Sequence, residues 1–155
     1  MEVFSKSYLE EVVENQGKLF EYAEEHWPGM DVADFIEAYM KSHTRAMIDK
    51  GQPYVCTMDA ENLFEYFLEY EKYEPKPGKA AGGFAPNWIG QFYALFQWVY
   101  GISSKEVLKL LPTEFMFAAY PGAHDLDLYL AVHKVGEQCG LKAPENSGGL
   151  GRKDI

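Results

Sequence analysis

The chain has 155 residues, long enough for one domain with a substantial core, and its 47% hydrophobic and 15% aromatic content excludes the intrinsically disordered class. Its formal charge of −10 is unevenly placed: residues 1–80 carry 17 Asp and Glu against 8 Lys and Arg, and residues 81–155 carry 7 against 6. Such an anionic first half repels phosphate backbones and draws basic partners, which argues against nucleic acid and for a basic protein.

No apolar run reaches membrane-spanning length, and "MEVFSKSYLEEVVEN" has neither the basic nor the apolar region of a secretory signal. Cys56 and Cys139 stand 83 positions apart, which fits reduced thiols in a cytoplasmic protein better than a disulfide framework or a zinc site.

Periodicity predicts an all-α domain of six or seven helices. The first starts near Ser7, where Ser7 and Glu10 have capping-box spacing, and it ends by Pro28 and Gly29. Gly17 lies inside it and counts against it, since glycine costs about 1 kcal/mol relative to alanine there. Asp31 caps a second helix reaching Gly51, with Phe35, Ile36, Tyr39, Met40, His43 and Met47 as its stripe. A third runs from about Asp59 to Lys72. The connection 73–86, with prolines and paired glycines, is read as a long mobile loop.

Pro86 opens a fourth helix reaching Tyr100, apolar over so much of its circumference that it belongs at the centre of the bundle. Gly90 and Ala94 would admit a neighbouring backbone. Ser103 and Glu106 are spaced to cap a short fifth helix ending before Pro112. "TEFMFAAYPG" suggests a sixth, and Asp125 or its neighbour caps a last one over "LDLYLAVHKVGEQ". The domain is assigned to residues 1–139 and a disordered tail to 140–155. No strand alternation or internal repeat is evident.

The third helix carries the main functional signal. Glu61, Glu65 and Glu69 recur at i, i+4 and i+8 on the side opposite Leu63, Phe64 and Phe67. Like charges at that spacing cost a few tenths of a kcal/mol per pair, so local helix stability does not account for the ridge. Tyr66, Tyr70 and Tyr73 flank it, and tyrosine is well suited to protein interfaces. The bland alternative is a solvated acidic face.

Two other chemistries are weaker. "FQWVYGISSKEVLKLL" has the layout of a helix-turn-helix around Gly101, with Ser103, Ser104, Lys105 and Lys109 as the residues that would face nucleic acid. Gln97 stands where such motifs usually have a small residue. The second helix offers no Arg, Asn or Gln to base edges, and acids offset its lysines. His124, Asp125 and Asp127 suggest a small metal-dependent hydrolase, but its further ligands are missing; His133 and Glu137 also lack a third. Asp125 and Asp127 equally suit a helix N-terminus. Nucleophilic catalysis has no GxSxG and no evident Cys–His or Ser–His pairing, and nothing calls for a cofactor.

The runs "FIEAYMKSHTRAMIDKGQPYV", "GGFAPNWIGQFYALFQWVYGISSKEVLKLLP" and "AAYPGAHDLDLYLAVHKVG" resemble uncharacterised small bacterial acidic helical proteins of the antitoxin or immunity-partner kind. The resemblance implies a non-enzymatic partner that neutralises a basic protein, in that setting a toxin. It carries no catalytic residue with it.

Overall fold

Short polar side chains ahead of apolar stripes mark where most of these helices begin. In a computed structural model describing residues 3–142, the side chains of Asp31, Asp59 and Ser103 accept the backbone N–H of Asp34, Asn62 and Glu106. Each gives a first-turn donor a partner it would otherwise lack.

The described residues fold as α1 (Lys6–His26), α2 (Val32–Met40), α3 (His43–Asp49), α4 (Pro53–Cys56), α5 (Ala60–Glu71), α6 (Ala85–Tyr100), α7 (Ser104–Leu110), α8 (Thr113–Ala123) and α9 (Leu128–Gln138). The fold is all-α. Among the described residues the one strand-like pairing is an isolated antiparallel bridge between Met30 and Pro77. No described helix is long and apolar enough to cross a membrane.

These nine described helices exceed the six or seven expected, for local reasons. The second predicted helix divides at Ser42, whose hydroxyl donates to the Tyr39 carbonyl at 2.7 Å and accepts the Arg45 N–H at 3.0 Å. One side chain thus closes α2 and caps α3. Pro53 opens the extra turn α4 from a first helical position. The cap of α1 is Ser5 rather than Ser7, and the cap of α9 is Asp127 rather than Asp125. α8 runs past the expected stop to Ala123, with Pro121 in its last turn. Gly140, expected to begin the tail, completes the end of α9 by donating to Glu137, while Leu141 donates to Gly136. The rest of that predicted tail, 143–155, lies outside the described residues.

α6 is the axis of the bundle, buried along most of its length as its composition predicts. α1 packs along it more extensively than any other described pair of helices. At their crossing, Gly17 faces Asn87 and Gly90 faces Gln16 and Gly17. A Cβ on Gly90 would stand 2.6 Å from the Gln16 carbonyl oxygen, so Gly17, a weakness by helix propensity, is half of the contact joining the two longest helices. On one side of this pair Phe20, Phe35, Tyr39, Phe64 and Phe67 meet mostly edge to face. Along α6, Trp88, Phe92, Phe96 and Tyr100 follow one another at ring separations of 5.1, 5.9 and 4.8 Å.

One polar cluster interrupts this core. Arg45 is fully buried, and its guanidinium donates to Asp49 at 2.7 Å, Gln16 at 2.7 Å and Gln97 at 2.6 Å. Gln97 donates on to Asp49 at 2.6 Å, and Ser104 gives Asp49 both its backbone N–H and its hydroxyl. Gln16 closes the set by donating to the Gly90 carbonyl at 2.8 Å. The cluster joins α1, α3, α6 and α7 and gives each charged group the partners that burial demands.

The connection after α5 is bound rather than free over much of its course. Lys72 ends α5 in the left-handed region at φ 53°. The Lys76 carbonyl accepts the Asp31 N–H at 2.8 Å, and Gly78 donates to Gly29 at 2.9 Å. The Glu24 carboxylate takes the N–H groups of Ala81 and Gly82 at 2.5 and 3.1 Å. The long loop expected at 73–86 lies between α5 and α6, tied back to the body of the domain at these points.

Candidate functional site

α5 turns Ala60, Leu63, Phe64 and Phe67 into the core, which leaves Glu61, Glu65 and Glu69 exposed in a line along its outer face. None of the three has a Lys, Arg or His nitrogen within ion-pairing distance among the described residues. Their charge faces outward uncompensated.

Beside the ridge lies a small aromatic platform. Tyr66 and Tyr70 stack at 4.5 Å, and Tyr54 from α4 meets Tyr66 edge-on at 6.1 Å. The hydroxyls of Tyr54 and Tyr66 are 3.4 Å apart, and this contact leads the upward shift of the Tyr66 phenol pKa. Tyr54 is 49% exposed and Tyr70 62% exposed, so the platform is open to solvent. Tyr54 was not among the residues the sequence picked out, because the short α4 that carries it gives no periodic signal.

Tyr73 does not join them. Its ring packs against Trp27, Phe35 and Phe67, and its hydroxyl donates to Asp34 at 2.8 Å. Burial, reinforced by that carboxylate, pushes its ionisation upward. Tyr73 closes the edge of the core.

The ridge continues around its N-terminal end into a groove of about 520 Å³ between α1 and α5. Glu21, Glu25, Asp59 and Glu61 bring carboxylates to this groove, Lys18 one cation, and Tyr22 an aromatic wall. The acidity that the sequence assigns to the first half is therefore spatially continuous, reaching from the α5 ridge across to α1.

Comparison with protein-family models, curated proteins and solved structures returned no match.

The helix-turn-helix residues are placed for packing. Gly101 turns the chain at φ 65°, and Ser103 is spent capping α7. Ser104 is buried, with both its polar backbone and side-chain donors on Asp49. Gln97, the departure from the motif, is a node of the Arg45 cluster. Lys105 and Lys109 are exposed, with Lys109 3.7 Å from Glu106. This unit docks α7 onto the buried polar cluster.

His124, Asp125 and Asp127 also have separate duties. The His124 ring stacks on Tyr120, its Nδ1 lies 2.9 Å from the Tyr120 carbonyl, and its Nε2 lies 3.3 Å from Asp125. Asp127 caps α9 by accepting the Leu130 N–H at 3.1 Å. Among the described residues no group of three His, Cys, Asp or Glu side chains is placed to hold a metal ion.

Proposed function

We propose that this chain is a non-enzymatic protein-binding partner, antitoxin- or inhibitor-like, that neutralises a basic target through the outer face of α5. The observation that carries the reading is the exposed, uncompensated row of Glu61, Glu65 and Glu69 beside the open Tyr54–Tyr66–Tyr70 platform. The carboxylates attract a basic surface at long range, and the tyrosines supply rigid apolar contact once it arrives. The acidic α1–α5 groove extends the same field to a side chain long enough to enter it, such as Lys or Arg.

The test is capture from the host's own lysate on immobilised protein, followed by association kinetics with the recovered partner. Replacing Glu61, Glu65 and Glu69 together by Lys should slow association about tenfold or more at low salt and flatten its salt dependence. The three side chains are exposed, so the variant should keep the wild-type helical content. Unchanged kinetics, or capture that yields no basic protein, would remove the ridge from the mechanism.

A further inference from the structure

A second groove, of about 470 Å³, lies on another face, between α2, α7 and the residue leading into α8. Its lining is mostly apolar, contributed in part by Leu108 and Pro112, and four charged side chains converge on it: Glu37 and Lys41 from the end of α2, and Lys105 and Lys109 from α7. Lys105 and Lys109, one helical turn apart, share a side of α7.

Charge sets this groove apart from the rest of an acidic molecule. Lys41 and Lys105 have no carboxylate within ion-pairing distance among the described residues. Lys109 is partly offset by Glu106 at 3.7 Å. The single carboxylate of the lining, Glu37, already accepts the Thr113 hydroxyl at 3.0 Å. The groove therefore joins an apolar floor to a net positive rim, and its volume falls within the range of small-ligand sites, about 300–1,000 Å³.

We infer that this groove binds a small amphipathic carboxylate, its apolar body on Leu108 and Pro112 and its head among Lys41, Lys105 and Lys109. Glu37 on the same rim selects against a doubly charged head, because a second negative charge would stand close to its carboxylate. In this assignment Lys105 and Lys109, the lysines that suggested nucleic acid, find a different use. The site is separate from the α5 ridge, and the two readings stand or fall independently.

The experiment uses the full chain with octanoate, 1-octanol and octyl phosphate as probes, read by amide shift mapping and titration calorimetry. Octanoate should bind at the groove, with shifts clustered on residues 37–41 and 105–112, at least about tenfold more tightly than 1-octanol. Lys41→Glu with Lys105→Glu should weaken octanoate about tenfold or more while leaving thermal stability in place, since both side chains are exposed. Glu37→Gln should tighten octanoate, a change that a purely apolar crevice would not produce. Equal binding of 1-octanol, insensitivity to the lysine reversals, or shifts elsewhere would overturn the assignment. Tighter binding of octyl phosphate would overturn the singly charged head. Displacement of octanoate by a short DNA duplex or an acidic peptide would hand the groove to a macromolecule.

Discussion

The α1–α6 crossing makes the most demanding prediction, because one methyl group should act in opposite directions at two glycines. At Gly90 the added Cβ would sit 2.6 Å from the Gln16 carbonyl oxygen and 2.8 Å from both the Gln16 carbonyl carbon and the Gly17 Cα. Comfortable carbon contacts lie near 3.5 Å or beyond, and all three obstacles are backbone atoms, so relief requires the helices to part by roughly 0.7 Å. That displacement also strains the Gln16 side-chain bond to the Gly90 carbonyl, now 2.8 Å. Helix propensity alone favours alanine by about 1 kcal/mol. Overpacking against unyielding neighbours costs about 3 kcal/mol at the upper end of its usual range. Gly90→Ala should therefore lose about 2 kcal/mol and lower Tm by roughly 4–8 °C. At Gly122 in α8 nothing beyond its chain neighbours and its own helix backbone lies within 4 Å of the corresponding Cβ, and Gly122→Ala should gain about 0.5 kcal/mol. Urea and thermal unfolding followed by circular dichroism would measure both. If Gly90→Ala equals or exceeds the wild type in stability, the close crossing is refuted.

Three further predictions concern buried titratable groups. Asp49→Ala leaves the Arg45 guanidinium enclosed without its anion and should cost about 3–5 kcal/mol in urea unfolding, with Asp49→Asn costing less because an acceptor remains for Ser104; a loss below about 1 kcal/mol for the alanine variant would contradict the cluster. Burial, partly offset by Arg45, pushes the Cys56 thiol up to about 11. At pH 8 a thiol reagent should therefore label half-buried Cys139 in the native protein and Cys56 only after denaturation. Because the folded value lies above the unfolded one, near 8.5, the stability tied to Cys56 is fully present below about pH 8.5 and is lost as pH rises through about 11. Burial raises Tyr39, Tyr73, Tyr93 and Tyr100 in the same direction, so the urea midpoint should fall across the alkaline range, and a midpoint that rises there would contradict these shifts.

Helix patterning was legible in the sequence wherever a stripe and a cap coincided. Asp31, Asp59 and Ser103 announce their helices, and the apolar breadth of Pro86–Tyr100 places it at the centre. The break at Ser42 was hidden because the apolar period runs across it, and a serine interior to a stripe gives no warning that its hydroxyl will serve two helices. The ridge was equally legible, since charge spacing on one helix is a local property. What pairs across the fold was not. Gln16, Arg45 and Asp49 read as ordinary helix residues, Gln97 and Ser104 as parts of a helix-turn-helix pattern, and the relation among the five exists only once four helices assemble. The lysine groove was visible as single residues, Lys105 and Lys109, without the contribution of Lys41 or the apolar floor.

The buried cluster also decides which alignment of the helices is the native one. Rings along α6 could exchange neighbours if that helix slid by one turn, and aromatic surface would still meet aromatic surface. The same slide would carry Gln97 about 5.4 Å from Arg45 and strip the buried guanidinium of an acceptor. Grease by itself is indifferent to such shifts. Arg45, the one buried cation among the described residues, works like the wards of a lock, admitting one register of α1, α3, α6 and α7, and so it holds the outward faces of the bundle in a fixed arrangement.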